Sequence, residues 1–464
     1  MEQGVRRRTV RPMSPSASPS PPEVLIVGGG VAALEALIAL RALAGHRVRI
    51  TLAAPSDDFI QRPLTVAEPF EAGFAHRHPL REIAADFDAR VVPAAVTAVA
   101  TAARRVLCRS GDSLSYDTLV LAPGARAVPP FEGAVTFGRP GAAAAVRTLL
   151  DRLADGAANR VAFVAPTLVG WSLPLYELAL MTAATVRERR PDGGVELFLV
   201  TPEQAPLEVF GADFGAAVAR LLDDAGVHFV GGEHGEAGPG AVRLPASGRS
   251  LSVDAVVSLP LLRGPRLEGI PGDPHFGFIP TDAHGRVLGL DDVYAAGDAT
   301  DFPVKQGGLA TQQADAVAAH VARRHGAPVE AAPFRPVLRG MLFTGAAAGR
   351  GLWRPTSKVA GRYLAPYLAA RIQTPRATRR AAAGRWRSTS PRRRCGCRSE
   401  GDRWVGCHAG CGAGSSPAAG RTRCGRGSPA PIGASARPHF ATVRRRPPSA
   451  ASPNGAGTHT ATAR

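Results

Sequence analysis

A chain of 464 residues, 45% hydrophobic and 20% charged, is long enough for two to three domains around a large buried core. Its formal charge of +18 lies almost wholly at the ends: residues 376–464 hold 18 Arg against Glu400 and Asp402, a net +16, the first 22 residues add +3, and the remainder stands at −1. A near-neutral body gives no charge-based reason to expect nucleic-acid binding by the folded part, and a single body cysteine, Cys108, excludes an internal disulfide framework there.

Residues 1–22 carry Arg6, Arg7, Arg8 and Arg11 and continue into Pro and Ser instead of an apolar run, so they read as a disordered leader and not as a signal peptide. Next comes the apolar run Val24-Leu25-Ile26-Val27, which turns on Gly28-Gly29-Gly30 into Val31-Ala32-Ala33 and a helix over Leu34 to Leu43. The register Gly28-x-Gly30-x-x-Ala33 lets backbone approach a phosphate, sets amides and the positive helix end toward it, and lets helix and strand pack closely at the small Ala33. Val48 to Leu52 is the next parallel strand of a βαβ unit. An acid that binds ribose hydroxyls is expected at its end; Ala53-Ala54-Pro55 stands there, with Asp57 and Asp58 slightly further on.

Arg62, next to Pro63, reads either as a contact at the cofactor edge or as an ordinary surface arginine. Short strands follow around Val91 to Val99 and Thr101 to Cys108, and Tyr116 to Leu121 runs into Ala122-Pro123-Gly124, a break that brings backbone against a cofactor or simply turns at a domain edge. A helix over 145–155 and the strand Val161 to Val164 open a second βαβ unit. Its turn, Ala165-Pro166-Thr167-Leu168-Val169-Gly170, keeps only the last glycine of a phosphate loop. The helix Leu173 to Thr182, strand Val195 to Val200, helix Phe214 to Asp224 and strand Val227 to Val230 complete that unit. Trp171 and Tyr176 flank Pro174, either packing at the helix start or forming an aromatic lid where a substrate meets the cofactor; Glu177 reads as a proton carrier there or as a solvated helix carboxylate, and Lys305, one of only two lysines, has the better claim to that catalytic role.

The chain returns through Ala255 to Ser258 and reaches Val293-Tyr294-Ala295-Ala296-Gly297-Asp298, a buried strand ending in a glycine and one carboxylate, suited to accept hydrogen bonds from ribityl hydroxyls. Together with the Gly28 run it indicates a flavin dinucleotide. A helix over Leu309 to Arg323 closes the first domain. From Phe334 to Ala370 the chain is apolar and aromatic, and Tyr363, Leu364, Tyr367 and Leu368 give one helical face that either packs in the core or docks on a membrane or partner.

The order of these motifs resembles the two-dinucleotide-binding-domain flavoproteins of the pyridine nucleotide-disulfide oxidoreductase superfamily, and within it looks like type II NADH dehydrogenases and sulfide:quinone oxidoreductases. The likeness covers roughly residues 23 to 370. It implies an α/β fold, a split FAD-binding Rossmann-like domain (23–150 and 271–330) with an inserted NAD-type domain (151–270), then an interface segment (331–371) and a basic tail (372–464). By the resemblance, Gly28, Gly30 and Ala33, with Gly29, Val31 and Ala32 between them, hold the FAD pyrophosphate. Ala122-Pro123-Gly124 passes near the flavin, and Gly297-Asp298 takes the ribityl chain. Lys305-Gln306-Gly307 begins the helix that faces the isoalloxazine and the quinone-side pocket, where a helix N-terminus with Lys305 beside it stabilises negative charge on a reduced flavin.

The implied activity is electron transfer from NAD(P)H or another small donor through FAD to a quinone-like or other acceptor. The alternative is a flavin-binding sensor or assembly protein without nicotinamide turnover, suggested by the altered second loop. Cys108 reads as a small core residue, which argues against thiol-disulfide chemistry. A reducing cytosol is the expected compartment, with peripheral contact at the inner face of a membrane; assembly as a homodimer is left open. No stretch of about 20 apolar residues is free of glycine and charge, so no transmembrane span is expected. The tail, with Cys395, Cys397, Cys407, His408, Cys411 and Cys424 among its arginines, lacks periodicity and reads as disordered. A shifted reading frame explains its composition best, ahead of a nucleic-acid-binding tail or a zinc site.

Overall fold

The computed structural model describes residues 20–167, 170–345, 361–373 and 440–444. In chain order the elements that position the site are β1 (Glu23–Val27), α1 (Val31–Ala44), β2 (Arg49–Ala54), β3 (Arg90–Pro93), β4 (Thr118–Leu121), β5 (Arg126–Val128), β6 (Val135–Thr136) and α2 (Ala142–Ala154). They continue with β7 (Arg160–Val164), α3 (Leu173–Arg189), β8 (Glu196–Val200), α4 (Ala212–Ala225), β9 (Val227–Val230), β10 (Ala255–Ser258), β11 (Leu261–Arg263), β12 (Val293–Ala295), α5 (Gly307–Arg324), β13 (Val337–Met341), α6 (Leu364–Gln373) and β14 (Phe440–Arg444).

Two parallel five-stranded sheets result, ordered β12-β4-β1-β2-β3 and β6-β10-β7-β8-β9. In each, the opening strand of a βαβ unit, β1 or β7, lies with its own successor on one side and a later strand on the other, which opens a crevice at the carboxyl ends of the strands. The strands are apolar runs because both faces of each sheet are covered: helices pack on the face that carries Ile26 or Phe163, and short antiparallel strands carrying Val106 or Val242 pack on the face that carries Leu25 or Val164. In the first unit α1 packs on α5 through small residues, Ala33, Ala36, Ala314 and Ala318 among them, all within one core cluster. The antiparallel pair β5 and β11 links the two units.

β6 already pairs with β10 in the second sheet, and α2 packs within the second core, so the chain passes into the second unit earlier than the 150/151 boundary read from sequence. The helix expected over Leu173 to Thr182 runs on to Arg189; no breaker interrupts Met181 to Arg189, and Arg187 and Arg189 complement the dipole in its last turn. Cys108 is buried, as read. Beyond residue 373 the only described residues, Phe440–Arg444, form a strand paired antiparallel with β13. Residues 346–360 of the apolar, aromatic stretch and the tail cysteines lie outside the described residues.

The face formed by Tyr363, Leu364, Tyr367 and Leu368 is buried on the first core. The Tyr367 ring meets Phe87 edge-on at 5.1 Å, and its hydroxyl donates to Asp86 at 2.7 Å. Of the two readings of this face, core packing is the one that describes it. Glu35, on α1 and fully buried, accepts the Tyr363 and Leu364 amides at 2.8 and 2.7 Å and so caps α6. Among the described residues no helix is long and apolar enough to cross a membrane.

Candidate functional site

The site forms where the turn after β1, the end of β4, the turn after β12 and the start of α5 converge. Gly28 has φ +130°, and a Cβ there would run into the carbonyl oxygen of Ala122. That position therefore requires glycine, and the turn lies directly against Ala122-Pro123. Gly29 sits over Leu80, whose Cδ1 a Cβ would meet at 2.9 Å. Gly30 is the extended N-cap of α1 and faces open space, with nothing within 4 Å of where a Cβ would stand. The first helical hydrogen bond runs from the Leu34 amide to the Gly30 carbonyl, so the amides of Val31, Ala32 and Ala33 precede it and point at that space. Ala33 itself is buried beneath them.

Opposite, Gly297 has φ +79° and lies 2.9 Å, measured from an added Cβ, from the Ala32 methyl and 3.4 Å from that of Ala310. This brings the Asp298 turn between the starts of α1 and α5. The turn is held from behind: the Gly297 amide donates to Gln313 Oε1 at 2.6 Å, and Thr300 Oγ1 donates to the Gly297 carbonyl at 2.9 Å. Asp298 accepts no hydrogen bond from the described residues; burial raises its pKa, while the charges of Lys305 and Arg62 pull the other way. Arg62, exposed at the start of a 3-10 helix, is thereby brought to the same carboxylate from a distant part of the chain. Gly307 begins α5 with an added Cβ position 3.8 Å from Val31, and Gln306 caps it, accepting the Leu309 amide at 2.9 Å and donating to the Arg339 carbonyl at 3.1 Å. Gly124 turns away at φ +76° with open space beside it.

Lys305 is buried. Its Nζ stands 3.6 Å from the centroid of the Phe278 ring and donates to the Thr300 carbonyl. Burial lowers its pKa to about 8, against the opposing pull of Asp298, Asp301 and Asp273, so it is still mostly a cation at neutral pH. Its ammonium is already engaged within the protein, so it contributes a fixed charge behind Asp298.

The second unit is filled at the matching place. Ala165 and Pro166 are buried, Gly170 accepts the Lys305 amide at 3.1 Å, and an added Cβ on Gly170 would stand 2.7 Å from Lys305 Cγ. Trp171 is half-buried and meets Phe210 edge-on at 5.7 Å. Tyr176 is fully buried; its hydroxyl donates to Glu203 at 2.7 Å and accepts the Leu207 amide at 3.3 Å. A ring so enclosed forms no lid, and burial with Glu203 beside it raises its pKa far above the ordinary tyrosine value. Glu177 is neither solvated nor facing the cleft: it is buried and accepts the Phe343 amide at 3.0 Å. Sequence reasoning missed Glu203, Thr300 and Phe278, which lie in turns without periodicity; Gln313 stood inside a run that it had singled out.

An unpartnered carboxylate, three free amides and a glycine turn facing open space fit an FAD, which needs donors for its pyrophosphate and an acceptor for its ribityl hydroxyls. The described residues contain no cluster suited to a metal. Comparison with known proteins agrees with this arrangement. The chain is 31% identical over 237 residues to an NADH dehydrogenase-like protein of Mycobacterium tuberculosis, a match covering 48% of this chain and 58% of the relative's length. Among solved structures, the sulfide:quinone oxidoreductase of Aquifex aeolicus superposes with a TM-score of 0.62 at 20% identity, over 70% of this chain and 82% of that one. The NDH2 of Plasmodium falciparum in complex with NADH gives 0.51 at 16% identity, over 60% and 64%. The ferredoxin reductase of Rhodopseudomonas palustris gives 0.52 at 20%, over 70% and 80%. At these identities the structures share the fold. The family model for pyridine nucleotide-disulphide oxidoreductases matches residues 22–326, and the chain belongs to that oxidoreductase family.

Proposed function

We propose that the protein is an FAD-dependent oxidoreductase that takes electrons from a small donor and passes them to a quinone-like or other acceptor. The observation that carries this reading is the convergence of the Gly28–Ala33 turn and the unpartnered Asp298 on one crevice. Bound there, FAD supplies reversible two-electron chemistry. The amides of Val31, Ala32 and Ala33 bind its pyrophosphate, and the close approach of Gly28 to Ala122 fixes the depth at which the turn lies. Asp298 orients the ribityl chain, and the Gln313 and Thr300 hydrogen bonds keep that carboxylate in place. Lys305 and the start of α5 hold positive potential on the same side.

Purified protein is expected to be yellow, to release FAD on denaturation, and, after reduction by dithionite without oxygen, to be reoxidised by a soluble quinone. A colourless protein that neither retains nor binds added FAD would remove the proposal. A flavin that reduces but passes electrons to no acceptor would favour the reading as a flavin-binding protein without turnover, for which the filled second turn is the supporting observation.

A further inference from the structure

We propose that the second unit takes no nicotinamide dinucleotide, so that the electron donor is a molecule that reaches the flavin without that handle. This rests on the flavin-dependent reading above and narrows its donor class. A nucleotide-binding βαβ unit commonly offers two anchors, amides at the start of its helix for the pyrophosphate and an acid beyond its second strand for the ribose hydroxyls; the first unit keeps the amides without that acid. In the second unit both anchors are put to other uses.

The helix start is poor in donors. Pro174 stands in the first turn of α3 and has no N–H, and the Leu175 amide is used by the Ser172 carbonyl at 2.9 Å. Of the first three helical positions only Leu173 keeps an amide outside these restrictions, where α1 offers three. The turn before it is occupied by buried Pro166 and is fastened to the first unit by the hydrogen bond between the Lys305 amide and the Gly170 carbonyl.

The acid beyond β8 is Glu203, and it faces inward. Its Oε2 accepts from the Tyr176 hydroxyl at 2.7 Å and from Thr201 Oγ1 at 3.1 Å, and its Oε1 accepts from Ser172 Oγ at 3.1 Å. Two of these donors come from α3 or its N-cap, so Glu203 ties the helix to the strand end where a nucleotide would lie between them. The Glu203 carbonyl also accepts the Gly232 amide at 2.9 Å, which lays the chain after β9 across the same place. Burial raises the Glu203 pKa, the direction expected of a carboxyl removed from solvent. To accept both hydroxyls of a ribose, Glu203 would have to give up at least one of its three hydroxyl donors, and its oxygens already point at them and away from a ligand.

Two readouts on the FAD-loaded protein test this. In anaerobic titration NADH and NADPH are expected to bleach the flavin absorbance no more than buffer does, while dithionite bleaches it fully. In calorimetry ADP-ribose, the probe for the nucleotide handle alone, is expected to give no binding heat. Bleaching by either nucleotide, or ADP-ribose binding that Glu203→Ala abolishes, would overturn the proposal. Failure of dithionite to reduce any bound flavin would instead defeat the oxidoreductase reading, and the calorimetry would still decide the question of the second unit.

Discussion

In the first unit the turn after β1 leaves three amides facing open space and an acid across from them without a partner, whereas in the second the turn after β7 is packed with proline and its nearby acid is bound by three hydroxyls. The strand orders match, so the difference does not come from the fold. It comes from a few side chains at the carboxyl ends of the strands. The same backbone plan therefore holds a cofactor in one copy and braces two domains against each other in the other. Both units also bury a carboxylate on the helix after the opening strand, Glu35 on α1 and Glu177 on α3, and each accepts backbone amides from the C-terminal segment. That pair is alike in both copies; only the acids and amides at the crevice differ.

The largest effect should come from Gly28→Ala. Its Cβ would meet a backbone carbonyl that cannot step aside, at a φ that costs a side chain about 1–3 kcal/mol before any clash, so loss of FAD and a sharply lowered unfolding midpoint are expected. In the second unit Gly170 stands where Ala33 stands in the first; a Cβ there would press on Lys305 Cγ and Cβ at 2.7 and 3.1 Å and touch the Pro303 carbonyl at 3.4 Å, a milder conflict than that at Gly28, so Gly170→Ala is expected to keep its flavin. Equal damage from both would erase the contrast between the units.

Tyr176→Phe should come next. It removes a donor from the half-buried Glu203 and leaves the buried ring without its hydrogen bond, destabilising by roughly 1–3 kcal/mol, read by denaturant unfolding, with FAD occupancy unchanged. A drop in flavin content without a drop in stability would place Tyr176 at the cofactor instead.

Asp298→Asn should keep the fold and weaken FAD by about 1–1.5 kcal/mol, close to tenfold in affinity, by equilibrium fluorescence of released flavin. No change would mean that the carboxylate does not receive the ribityl hydroxyls.

The remaining effect is one of pH. Asp315 on α5 shares a hydrogen bond with Glu35, and burial, then the Glu35 charge, raises its pKa to about 8. Because the folded state holds a proton that the unfolded chain has released, this contribution is full below the unfolded value and is lost as pH rises through about 8. Lys305 works in the other direction only above about 8, where its lowered pKa ceases to penalise the fold. Stability should thus fall between about pH 4 and about pH 8, and Asp315→Asn should flatten that slope. An unchanged slope would show that the pair at the α1–α5 contact does not hold the proton.

Much of this was legible in the sequence where one residue dictates backbone geometry. Gly28, Gly30 and the apolar strands before them fix the first turn, and the missing glycines at Ala165-Pro166 announced the filled second one. Partners brought together by tertiary folding were not legible. Arg62 and Asp298 lie 236 positions apart in the numbering, and nothing local to Tyr176 distinguishes a lid from a brace. The C-terminal helix shows the same limit. Its apolar face was plain, but that the face lies on α1 under the Glu35 cap follows from contacts more than three hundred residues apart in sequence.

If one unit carries a dinucleotide and the other none, the two can be told apart in a single vessel. Equilibrium dialysis of the protein against FAD and NADH together, with each nucleotide quantified after denaturation, makes that comparison. One FAD and no NADH per chain are expected; stoichiometric NADH alongside the FAD would contradict the assignment of the two units.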